Sequence, residues 1–84
     1  MDFKSQFPIY LKNKNKNFLY LDSASTTLKH HSVVSKLEDY YSNYSANIHR
    51  SVYPIAVKAT NEFEKSRIKV SNFINSKSEE IIFT

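Results

Sequence analysis

The sequence predicts an α/β architecture of helices with two short strands, on three observations. Two stretches, His31 to Tyr44 and Pro54 to about Asn75, repeat apolar residues at helical spacing. Two others, Phe18–Leu21 and Glu80–Phe83, are short aromatic and apolar runs of strand character. Turn-forming residues separate these elements, with no internal repeat and no low-complexity linker, so residues 1–84 read as one continuous segment.

Taken in order, residues 2–7 suit a short helical turn with Asp2 as its cap and Phe3 and Phe7 four apart on one side, ended by Pro8. From Lys12 to Asn17 lysine and asparagine alternate, the pattern of a solvent-exposed turn. The strand Phe18–Leu21 leads into Asp22–Thr27, six small or polar residues suited to backbone contacts and local hydrogen bonds. In the first long helix Val33, Val34, Leu37, Tyr40, Tyr41 and Tyr44 fall at intervals of 1, 3, 3, 1 and 3, an amphipathic stripe. A loop over Ser45–Tyr53 follows, and Pro54 fits the first turn of the second long helix, where its missing N–H costs little. That helix carries Ile55, Ala56, Ala59, Phe63, Val70, Phe73 and Ile74 on its apolar side. The last run has three consecutive bulky apolar residues, as in a strand covered on both faces of a parallel sheet. Two strands cannot supply that cover, so the rest of the sheet is expected to be missing.

Composition narrows the chemistry. With no cysteine among 84 residues, there is no disulfide framework, thiolate metal site or thiol nucleophile. No apolar run reaches the roughly 20 residues of a membrane span, and Met1-Asp2-Phe3-Lys4 lacks a signal-peptide layout, so a cytoplasmic protein is expected. Of the twelve cations behind the net charge of +4, ten are lysine, in a chain crowded with Asn, Ile, Tyr and Phe. An A/T-rich coding sequence accounts for that mixture without selection for a nucleic-acid partner. Lys12, Lys14 and Lys16 have no interleaved aromatic residue and read as a solvated loop. Glycine is absent where average usage of about 7% would give about six, so asparagine is the expected occupant of left-handed turn positions.

Four residues stand out for function, each with a plain structural reading beside it. Ser23 and Ala24 sit in a small-residue turn leaving a strand, which turns whether or not a ligand approaches. His49 and Arg50 form a dipeptide that, taken alone, is a solvated loop or a capping pair. His30 and His31 have no third ligand at metal-binding spacing and read as a helix start, and the Tyr40, Tyr41 and Tyr44 cluster reads as a packing face.

Tyr20-Leu21-Asp22-Ser23-Ala24-Ser25-Thr26-Thr27, followed by Ala46-Asn47-Ile48-His49-Arg50, resembles the N-terminal region of the SufS-like (group II) cysteine desulfurases of the class V aminotransferase superfamily. The likeness runs from about Phe7 to Thr84 and includes Leu37-Glu38-Asp39-Tyr40-Tyr41, Ala59-Thr60, Glu64, Arg67, Phe73-Ile74 and Ser78-Glu79-Glu80-Ile81-Ile82-Phe83-Thr84. The His-Arg pair separates this group from the other cysteine desulfurases, whose corresponding stretch is rich in Gly, Asn and Ser.

The resemblance implies an N-terminal fragment of a type I fold transferase dependent on pyridoxal 5'-phosphate. Such an enzyme converts L-cysteine to L-alanine: a cysteine thiolate attacks the substrate sulfur and is left as a persulfide that supplies an acceptor protein for iron–sulfur cluster assembly. It also implies a homodimer, with the Ser23 and Ala24 turn on the substrate side. His49 and Arg50 then form a loop reaching the active-site entrance of the neighbouring subunit, where the arginine fork can pair with a substrate carboxylate or help hold closure loops. His49 can tune the charge around it near neutral pH. The family places glycine after the pair where this chain has Ser51, a cost of about 1 kcal/mol if that position needs positive φ. Its Schiff-base lysine, persulfide cysteine and phosphate loop all lie later than Thr84, so no catalytic, cofactor-binding or metal-binding residue is expected here, and the chain alone is expected to be inactive and poorly soluble. Selenocysteine lyase, another class V enzyme, and a small basic helical module binding protein or nucleic acid are the alternatives.

Overall fold

The computed structural model describes residues 2–13 and 17–84, so residues 14–16 of the expected Lys/Asn turn lie outside it. The chain forms two compact units, Met1–Asp39 and Tyr40–Thr84.

In the first unit, Asp2 Oδ1 accepts the Lys4 N–H at 3.2 Å and opens a 3-10 turn, Lys4–Gln6. Phe3 and Phe7 pack with ring centroids 5.4 Å apart, as their spacing predicts. The turn ends before Pro8, as expected, and Pro8 has a second role not anticipated from the sequence. It begins a separate short helix, α1 (Pro8–Lys12), because a proline at the first helical position gives up an N–H that has no partner there. Phe7 before it is extended, at φ −113° and ψ 113°, as a residue preceding proline prefers.

Helix α2 spans His31–Asn43 and α3 spans Pro54–Phe73, close to the predicted limits. The imidazole of His30 caps α2. Its Nδ1 accepts the Ser32 N–H at 3.1 Å, and its Nε2 lies 2.7 Å from Gln6 Oε1. Nδ1 as acceptor leaves the proton on Nε2, which donates to Gln6, so one tautomer serves both contacts.

The end of α3 shows where asparagine replaces glycine. Asn75 is left-handed at φ 58°. The Ser76 N–H reaches back to the Ser71 carbonyl at 2.8 Å and the Asn75 N–H to the Asn72 carbonyl at 3.4 Å. This pair of bonds is a Schellman closure, which satisfies carbonyls the helix would otherwise leave open.

Neither expected strand is formed among the described residues. Residues 18–21 have no ladder partner there, and Glu80 belongs to a second 3-10 turn, Ser78–Glu80, closed by its own carboxylate on the Lys77 N–H at 2.7 Å. A strand exists only as half of a hydrogen-bonded pair, and apolar composition alone cannot provide the other half.

The core is small and lies in the second unit: Tyr44, Ala56, Ala59 and Ile81 are buried. Alanines at 56 and 59 leave room for close packing against the first half of α3, whereas Phe73 at its far end is 91% exposed. The predicted stripe of α2 is a true helical face, yet Val33, Val34, Leu37 and Tyr41 on it are exposed.

Candidate functional site

Ser23 and Ala24 lie in the first unit, in a turn that the chain closes on itself. The Asp22 carbonyl accepts the N–H groups of Ser25 at 3.0 Å and Thr26 at 3.1 Å, which folds residues 22–26 back on themselves. The Tyr20 hydroxyl spans the turn and donates to the Thr26 carbonyl. Lys29 Nζ donates to the Thr27 carbonyl. Ser23 and Ala24 are exposed at the apex, and the small side chain of Ala24 leaves the backbone open to close approach.

His49 and Arg50 lie in the second unit, on the loop before α3. His49 has φ 66°, and Ser51 is not among the positive-φ residues. The expected strain therefore falls two residues earlier than the glycine pattern suggested. A left-handed non-glycine residue costs about 1–2 kcal/mol, and α3 supplies the contacts that offset it. The His49 N–H donates to Thr60 Oγ1 at 2.9 Å, and Nε2–H donates to Glu64 Oε1 at 2.8 Å. The ring meets Phe63 edge-on, with centroids 5.5 Å apart.

The network continues beyond the loop. Arg67 Nε donates to Glu64 Oε2 at 2.9 Å and Arg67 Nη1 donates to the Ile81 carbonyl. The guanidinium lies over Phe63 at 5.4 Å and Phe83 at 5.2 Å. Glu64 thus ties the His49 loop to α3 and, through Arg67, joins it to the 81–84 segment held on the same face. The Arg67 hydrogen bond, then that of His49, hold the Glu64 carboxyl below the usual carboxylate range. Arg50, next to this lattice, is exposed and forms no hydrogen bond or ion pair among the described residues.

Thr60, Glu64 and Arg67 had no role assigned from sequence. Their spacing of four and three puts all three on one face of α3, a polar stripe in an otherwise amphipathic helix that could have marked them.

A pyridoxal phosphate site needs a lysine shielded for an imine link and a cradle for the phosphate. Every lysine among the described residues is exposed, and the start of α2 is occupied by its own histidine cap. Without a shielded lysine for that link, the described residues do not by themselves fit that cofactor. Among them no cluster of three His, Cys, Asp or Glu residues could hold a metal, and no helix is long and apolar enough to cross a membrane.

Comparison with known proteins identifies the family. The Aminotransferase class-V family matches residues 19–84. Cysteine desulfurase SufS of Plasmodium falciparum is 39% identical over 96% of this chain, which spans 15% of that protein. A probable cysteine desulfurase of Halalkalibacterium halodurans is 41% identical over 99% of the chain, and the chain spans 21% of it. The apo structure of the cysteine desulfurase from Thermococcus onnurineus NA1 superposes with a TM-score of 0.82 at 36% identity, covering 99% of this chain and 20% of that one. From the Tyr20 turn to the segment clamped by Arg67, the chain belongs to the class-V aminotransferase family.

Proposed function

We propose that this chain provides the substrate-handling front of a pyridoxal phosphate-dependent cysteine desulfurase. L-Cysteine is its substrate, and its sulfur passes through an enzyme persulfide to an acceptor protein for iron–sulfur cluster assembly. The observation that carries this reading is Arg50: a guanidinium without a hydrogen-bond or ion-pair partner among the described residues, beside a histidine held in a strained conformation. It stands in a chain 39% and 41% identical to the matching segments of two cysteine desulfurases.

In this reading Ala24 lets the turn backbone approach the amino acid, and Ser23 offers a hydroxyl beside it. Arg50 pairs through its fork with the substrate carboxylate, and His49 anchors the loop that carries it. The loop acts across the interface of a homodimer. The fold is that of a type I transferase, its two short strands pairing within the complete sheet, and the enzyme works in the cytoplasm.

The test is a chimera in which this chain replaces the matching fifth of the Thermococcus onnurineus desulfurase, assayed for alanine release from L-cysteine. Turnover is expected. Arg50→Ala should raise KM for cysteine about tenfold or more, the loss of one charge-assisted hydrogen bond. Lack of turnover in a folded, cofactor-loaded chimera, or a clear preference for selenocysteine, would reject the desulfurase assignment.

A further inference from the structure

We propose that Glu64 and Thr60 are positioning residues for Arg50: from one face of α3 they fix His49 in the left-handed region, and that backbone turn directs the Arg50 side chain into solvent. The inference rests on the substrate-binding reading of Arg50 and adds the residues that aim it.

The argument begins with the conformation. His49 at φ 66° sits where a side chain with a Cβ is disfavoured, so something must hold it there. Two hydrogen bonds do so from different directions. Thr60 Oγ1 takes the backbone N–H at 2.9 Å, and Glu64 Oε1 takes the ring Nε2–H at 2.8 Å. Phe63, between them in sequence, closes the third side with its edge-on contact.

Glu64 is not free to swing away, because its other oxygen is held by Arg67 at 2.9 Å. The ring of His49 is drawn onto α3, and Arg50, the residue that follows, is exposed. Were His49 to relax to an extended φ, rotation about its N–Cα bond would redirect everything after it. Among the described residues, Thr60 and Glu64 make no hydrogen bond or ion pair with Arg50, so their effect on it passes through His49.

The chimera described above tests this with steady-state kinetics on L-cysteine. Glu64→Gln and Thr60→Val should each raise KM about fivefold with kcat changed by less than about twofold, a smaller copy of the Arg50→Ala effect. In a His49→Gly background, where positive φ carries no Cβ penalty and the ring is gone, Glu64→Gln should add nothing further to KM, a non-additivity that a general stabilising role would not produce. Thr60→Val leaves the Glu64 and Arg67 pair intact, so it carries the test should Glu64→Gln fold poorly.

The proposal is overturned if Arg50→Ala raises KM while Thr60→Val and Glu64→Gln leave it unchanged. It is equally overturned if Glu64→Gln costs as much in the His49→Gly background as it does with His49 in place. If Arg50→Ala itself leaves KM unmoved, the carboxylate-binding reading of Arg50 is what fails, and the positioning role goes with it.

Discussion

The turn at Asp22–Thr27 and the loop at His49 and Arg50 are both short, exposed and rich in polar residues, yet they are held in different ways. The hydrogen bonds that close the turn among the described residues reach no further than six residues along the chain. The loop is held by Thr60 and Glu64, eleven and fifteen residues away on α3. A self-closed turn is fixed by its own composition and tolerates change elsewhere. A loop held by a helix inherits the fate of that helix, and substitutions far from it along the chain alter its geometry.

Arg67→Ala should open this difference most widely. It removes the bond to Glu64, the bond to the Ile81 carbonyl and the contacts with Phe63 and Phe83. The expected loss is about 2–3 kcal/mol, since the bond from the guanidinium to the carbonyl is charge-assisted and both ring contacts disappear with it. Urea unfolding should report that loss. Amide hydrogen exchange should quicken at His49, whose anchor Glu64 has lost its main partner, and stay unchanged at Ser25 and Thr26. Faster exchange at both places would mean that the turn, too, depends on distant support.

Acid should act on the same lattice more gently. Glu64 has its carboxyl pKa lowered by Arg67 and then His49. A carboxylate with a depressed folded value stabilises fully above the unfolded value of about 4.3 and loses that contribution as pH falls through the lower folded value. Protection of the His49 amide should therefore persist at about pH 5 and decline only below about 4. A decline already centred near about pH 6 would assign the hold on the loop to a group other than Glu64.

The same contrast governs what could be read from sequence. Helices α2 and α3 were legible because their periodicity and the proline at the start of α3 are local signals. So was the use of asparagine for glycine, realised at Asn75, whose Schellman bonds all fall within five residues. Pro8 is the stop that the sequence indicates and also a start, because the extended residue it imposes before it ends one turn while its own fixed φ opens the next helix. The strands at Phe18–Leu21 and Glu80–Phe83 were not realised because pairing is a property of two segments. At the site, the identity of Ser23, Ala24, His49 and Arg50 was visible in the motif, but the positive φ at His49 was not. Nothing within the loop announces it, since the groups that impose it lie on α3.

Tyr20→Phe gives the smallest effect and the closest test of the self-closed turn. The Tyr20 hydroxyl donates to the Thr26 carbonyl across the turn, with the Asp22 carbonyl 3.4 Å away. It is a reinforcement, because Ser25 and Thr26 already donate to the Asp22 carbonyl through the backbone. Removing one exposed neutral hydrogen bond costs about 0.5–1 kcal/mol. Exchange of the Ser25 and Thr26 amides should then quicken about two- to fivefold, while the His49 amide keeps its rate. An acceleration of about a hundredfold, worth nearly 3 kcal/mol, would show that one side chain holds the turn as Glu64 and Thr60 hold the loop. The two regions would then differ only in how far along the chain their supports lie.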